Sequence, residues 1–135
     1  MLANKPSRPQ NNIGSLIGAG TKVSGVIFFS GGLHVDGEVD GNIIANLGKH
    51  STLVLGEHAR VNGEINVKHL VINGVTTGPV YATEHLELQS KAMLAGDVHY
   101  RTVEIQLGAI IEGKLIHLAE ASDKLETLKP IDAKS

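Results

Sequence analysis

Apolar and polar residues alternate in short bursts along most of the chain, as in Val61, Gly63, Ile65 and Val67. A period of two is the signature of a strand with one buried face. Glycines punctuate the bursts, and six of them share a frame: Gly25, Gly41, Gly63, Gly78, Gly96 and Gly113. Two residues after each stands an aliphatic, namely Ile27, Ile43, Ile65, Val80, Val98 and Leu115. Two residues before come Val23, Val39, Val61, Thr76, Leu94 and Ile111, and eight before come Ile17, Leu33, Leu55, Leu70, Leu88 and Ile105. Of these 18 positions 17 are aliphatic, in a chain that is 41% hydrophobic, so the pattern is an internal repeat and predicts one architecture throughout.

The glycines are spaced by 16, 22, 15, 18 and 17 residues. Helical repeats are longer, from about 33 residues upward, and the Asn-containing signature of leucine-rich repeats is absent. Units near this length, made of short strands and glycine-marked corners, fit the coils of a parallel β-helix. Coil pairs with coil through the backbone, and the inward aliphatics are expected to stack into continuous ladders. The glycine suits a corner where a side chain would crowd or where φ must be positive. Ile65, Val80 and Val98 are expected on one buried ladder.

Composition agrees with a narrow aliphatic interior. Aromatic residues make up 3% of the 135 residues: Phe28, Phe29, Tyr81 and Tyr100. The formal net charge is −2, so a phosphate-binding footprint is not expected and no nucleic-acid partner is predicted. Cysteine is absent, which removes disulfides and thiolate metal sites. There is no apolar run of membrane-span length and no recognisable secretory signal. The chain divides into a polar N-terminal arm (1–14) containing Pro6 and Pro9, six coils (15–118) and a polar, flexible C-terminal tail (119–135). Within the tail, Ala119 to Leu128 could form a short helix with a thin apolar stripe, but its length favours a frayed segment over a packed cap.

The coils come in two lengths. Leu33-His34-Val35-Asp36-Gly37 is echoed by Leu70-Val71-Ile72-Asn73-Gly74. The other kind runs from Leu16-Ile17-Gly18 to Val23-Ser24-Gly25, and recurs at Val54–Gly63 and more loosely at Ile105–Gly113. The order aliphatic, Gly, a few residues, Val, any residue, Gly, polar, Ile resembles the bactofilins, above all across Val35-Asp36-Gly37-Glu38-Val39-Asp40-Gly41-Asn42-Ile43. The resemblance covers about residues 15–118. It implies an all-β, single-domain, right-handed triangular β-helix of about six coils with disordered termini. It further implies nucleotide-independent, non-polar filaments that scaffold cell-shape or cell-wall proteins in the cytoplasm, often at the inner face of the membrane. The membrane contact would come from an N-terminal peptide, here Met1, Leu2, Lys5 and Arg8, although those residues match the family poorly.

Polymerisation is also expected without the resemblance. A solenoid has an unpaired rung at each end, and soluble solenoids cover these with polar caps. Here the first coil carries Leu16, Ile17, Phe28 and Phe29, and the last carries Ile110, Ile111, Leu115 and Leu118, with no obvious amphipathic cap beside them. These eight are the candidate self-association residues. End-to-end stacking is preferred over arms folded across the ends; the residues leave head-to-head and head-to-tail contacts open, and the family implies the former.

The rival reading is an enzyme, a left-handed hexapeptide acyltransferase or a related metal-dependent hydratase. Those coils need a strict six-residue period, which the glycine spacings break. Seven histidines are present: His34, His50, His58, His69, His85, His99 and His117. None forms a tight ligand motif. His69 and His85 each precede a repeat leucine, so they are expected to stack outside adjacent coils as a solvated pair. Gly113-Lys114-Leu115 lacks the hydroxyl residue of a phosphate-binding loop. Asp36, Glu38 and Asp40 alternate outward with no paired carboxylate site. No catalytic residue, metal site or cofactor is predicted.

Overall fold

The computed structural model describes residues 14–119, in which short strands are joined by turns and bends and no helix occurs among the described residues. The expectations for the N-terminal arm, including Met1, Leu2, Lys5 and Arg8, and for a short helix after Ala119 lie outside the described residues.

The strands form three parallel ladders, each six rungs deep, which are the three faces of a solenoid. The first face stacks β1 (Ser15–Ile17), β4 (Gly31–Val35), β7 (Ser51–Leu55), the second half of β9 (Ile65–Ile72), the second half of β11 (Val80–Leu88) and β14 (Val103–Ile105). The second face stacks β2 (Lys22–Ser24), β5 (Glu38–Asp40), β8 (Arg60–Asn62), β10 (Val75–Thr77), β12 (Met93–Ala95) and β15 (Ile110–Glu112). The third stacks β3 (Ile27–Phe29), β6 (Ile43–Ala45), the first halves of β9 and β11, then β13 (Val98–Tyr100) and β16 (Leu115–His117). One strand from each face makes a coil, and there are six coils.

The repeat glycines form a spine at the corner between the second and third faces. All six have positive φ, from 123° at Gly78 to 155° at Gly41, a region that costs other L-residues strain. They also touch. A Cβ on Gly63 would lie 2.1 Å from the Gly41 carbonyl oxygen, and one on Gly113 equally close to that of Gly96. Each coil therefore rests on the backbone of the one before. Side chains complete the corners: the Oδ1 of Asn42 accepts the Glu64 amide at 2.9 Å, and that of Asp97 accepts the Lys114 amide at 3.1 Å. Corner amides that no strand could pair thus find acceptors.

Two of the three sequence columns are spatial ladders as expected. Ile27, Ile43, Ile65, Val80, Val98 and Leu115 stack in register. So do Val23, Val39, Val61, Thr76, Leu94 and Ile111. The third column is corrected. Leu33 and Leu70 do not stack on Ile17, Leu55, Leu88 and Ile105; Val35 and Ile72 do. The two coil lengths explain this. Asp36-Gly37 and Asn73-Gly74 turn the corner after the first face in two residues. The other coils use four-residue turns closed by an i+3 hydrogen bond, such as Ala59 N–H to the Gly56 carbonyl. A two-residue offset keeps strand parity, so Leu33 and Leu70 still point inward, on the neighbouring column.

The core is aliphatic and confined to the four middle coils. Ile43, Ile65, Leu53, Leu55, Ile72, Leu86 and Leu88 are fully buried. Rings enter only at its margins, where Phe29 and Tyr100 pack partly buried against it. Thr76 is the polar member of an aliphatic ladder, fully buried, with no hydrogen-bond partner for its hydroxyl.

Candidate assembly surfaces

The candidate self-association residues separate into two groups at opposite ends. Leu16, Ile17, Phe28 and Phe29 belong to the first coil; Ile110, Ile111 and Leu115 belong to the last, with Leu118 just after it. Strand parity then divides each group. Ile17, Phe29, Ile111 and Leu115 continue the inward ladders. Leu16, Phe28 and Ile110 point outward around the rim.

Inward residues at the ends remain open because one flanking coil is missing. Ile105 is 48% exposed and Leu115 45%, whereas Leu88 and Val98, one rung deeper on the same ladders, are at 0% and 1%. The rim is apolar too: Leu16 is 67% exposed and Phe28 76%. Val26, Ile110 and Leu107 extend it. The backbone reports the same openness. A Cβ at Gly25 would meet nothing within 4 Å, while the next spine glycine already abuts a carbonyl.

Sequence reasoning passed over Met93 and Leu47, both exposed. Met93 lies on the outward column of the second face, with Val75 and Ile110. That column runs Lys22, Glu38, Arg60 in the first three coils and Val75, Met93, Ile110 in the last three. Leu47 sits in the extra residues behind the widest glycine spacing, 22, which was the available signal.

The histidines lie outside the solenoid except His117, which stands at the open end of an inward column with its ring edge-on to Tyr100, centroids 5.6 Å apart. His69 and His85 stack in register, as expected, and both are about a third exposed. His69 Nε2 lies 3.1 Å from a Glu84 carboxylate oxygen, and the His85 ring meets the Thr102 hydroxyl. His99 stacks on Tyr81 with ring centroids 4.1 Å apart. Among the described residues no three His, Cys, Asp or Glu side chains converge as metal ligands. Where the first face turns into the second, Lys91 donates a 3.0 Å hydrogen bond to Glu57, and His58 lies between Glu57 and Asp36. That bond, then the Lys91 charge, then His58 hold the Glu57 carboxyl below its ordinary value. Glu38 and Asp40 point outward from the second face as expected, and Asp36 caps the turn above by accepting the His58 amide.

Comparison with known proteins agrees with the geometry. A family model, "Bactofilin: Polymer-forming cytoskeletal", matches residues 15–116. A curated relative, "Bactofilin BacP" of Myxococcus xanthus (strain DK1622), is 27% identical over 113 residues, covering 84% of this chain and 45% of the relative. The chain thus spans less than half the length of that relative. No solved structure gives a significant match.

Proposed function

The chain belongs to the bactofilin family of polymer-forming cytoskeletal proteins, and on that premise we propose that it polymerises through the two open ends of its solenoid. The observation that carries this reading is the exposure of inward-facing ladder residues, Ile105 and Leu115, beside fully buried counterparts one rung deeper. Stacking a second solenoid on such an end buries apolar area at about 25 cal/mol per Å². It also pairs strand edges that otherwise stay unsatisfied. Every element of the contact is side chain or backbone of the chain itself, so assembly requires neither nucleotide nor metal.

Contacts between like ends would give non-polar filaments, in keeping with the family resemblance. Such filaments act here as a cytoplasmic, non-enzymatic scaffold that positions cell-shape or cell-wall proteins. Attachment to the inner face of the membrane would run through Met1, Leu2, Lys5 and Arg8. One arm contributes little, since each basic residue near anionic lipid adds about 1 kcal/mol, but a filament presents many arms at once. Negative-stain electron microscopy of purified protein, free of ATP, GTP and added metal, tests the assembly reading. Filaments are expected, and dispersed particles at high concentration contradict it. Flotation with anionic liposomes tests the arm: full-length filaments float, and filaments lacking residues 1–12 do not.

A further inference from the structure

The first two coils cross the corner between the third and first faces differently. The first turns it with Ser30 alone, between β3 and β4. The second uses Asn46 to His50, between β6 and β7. These residues fold into a tight turn: the Asn46 carbonyl accepts the Lys49 amide at 3.1 Å, and the Asn46 Oδ1 accepts the Gly48 amide at 3.0 Å. Leu47 is thereby held at the tip of a lip, 40% exposed, beside the shallow corner of the first coil. Under the lip lies a groove of about 600 Å³, walled by Phe29, Ile44, Ala45 and Leu47. Its polar members are Ser30 and Asn46, and no charged side chain lines it. Phe28 stands at its margin, 76% exposed and in register with Ile44.

We propose that the occupant of this groove is Phe28 of a second copy of the chain, docked first coil to first coil. The inference rests on the proposed polymerisation and specifies one of its two joints. The placement of ring and groove selects this occupant. Both belong to the same end of the solenoid, and Phe28 borders the groove that its own chain leaves open. A two-fold axis passing between them seats each copy's Phe28 in its partner's groove at once, which is the reciprocity of an isologous contact. Among the described residues only the second coil carries a loop of this kind at this corner, so a head-to-tail contact brings Phe28 no matching lip. The chemistry agrees, because an uncharged, apolar groove suits a ring and not an ionic group. An aromatic side chain covers about 150–250 Å² when buried, and here the contact is made twice. Leu47 then closes over the partner's ring. The insertion that breaks the repeat thus builds the socket of the first-coil joint.

Exchanging the apolar pair for a charged one tests the reciprocity. Phe28→Lys and Leu47→Glu both alter exposed side chains, so the circular dichroism spectrum of the full chain is expected to stay unchanged. Each single variant leaves an unpaired ion in the joint. Sedimented without nucleotide, it is expected to stop at pairs joined through their last coils, with pelleted polymer down about tenfold or more. The double variant Phe28→Lys/Leu47→Glu is expected to recover most of the polymer, because each new ammonium meets the partner's new carboxylate. High salt should weaken that recovered polymer and leave wild type little changed. A single variant that polymerises as wild type does, or a double variant no better than the singles, overturns the assignment. A groove filled by another segment or partner gives the first of these results. Wild type that stays monomeric contradicts the polymerisation reading itself, and this joint with it.

Discussion

Val80 and Leu115 occupy the same ladder of the third face, yet Val80 is 1% exposed and Leu115 45%. The middle coils and the end coils are written in nearly the same code. What separates them is the number of neighbours. A coil of a solenoid has no core of its own; it becomes buried because another coil lies on each side. The end coils meet that condition on one side, and a second copy of the chain is the natural supplier of the other.

The largest expected effect sets one ladder against itself. Val80→Asp places an unpaired carboxylate among Ile65, Val98 and their neighbours. Several kcal/mol of desolvation is then set against a typical total of about 5–15 kcal/mol. The variant is expected to be unfolded or aggregated by circular dichroism. Leu115→Asp should keep its spectrum and melt near the wild type under non-assembling conditions, because its carboxylate still reaches water. If both variants are equally damaged, the ends are not open in solution.

The glycine spine gives the next contrast. Gly63→Ala combines about 1–2 kcal/mol of left-handed backbone strain with a collision against the Gly41 carbonyl, so its cost should exceed the strain alone. Gly25→Ala has similar strain but open space, and should cost only about that 1–2 kcal/mol. Urea midpoints at unchanged slope would rank them.

These contrasts also show what the chain alone disclosed. The spine was legible because positive φ and close approach both demand glycine, leaving a frame that fluctuating coil lengths could not hide. The columns two residues either side of it were legible for the same reason, being anchored to that corner. The column eight residues back was misregistered because the corner between it and the glycine changes length. Strand parity kept the residues aliphatic and so masked the slip at Leu33 and Leu70. The candidate end residues could be located by coil, but their division into inward ladder and outward rim follows from pairing. Leu47 lay in an insertion that no repeat frame describes.

A smaller effect concerns Thr76. Its buried hydroxyl has no partner, and Thr76→Val removes it without opening a large cavity. A stabilisation of about 1 kcal/mol is expected, read as a higher urea midpoint. The smallest concerns the exposed Glu57–Lys91 pair. The folded Glu57 value is lowered, so the stabilising contribution is in place above the ordinary glutamate value and fades as pH falls through the lowered one. Lys91→Ala should move the Glu57 carboxyl resonance titration upward by NMR and leave the melting temperature nearly unchanged.

Pelleting of wild-type protein beside Leu115→Arg, in buffer without ATP, GTP or added metal, tests end-to-end assembly most directly. The guanidinium would sit in a desolvated contact if the end is an interface, and in water if it is not. The account predicts that wild type sediments as polymer while Leu115→Arg, with an unchanged circular dichroism spectrum, stays in the supernatant as monomers or small oligomers. Wild type that remains soluble at high concentration, or a folded Leu115→Arg that sediments as wild type does, would contradict it.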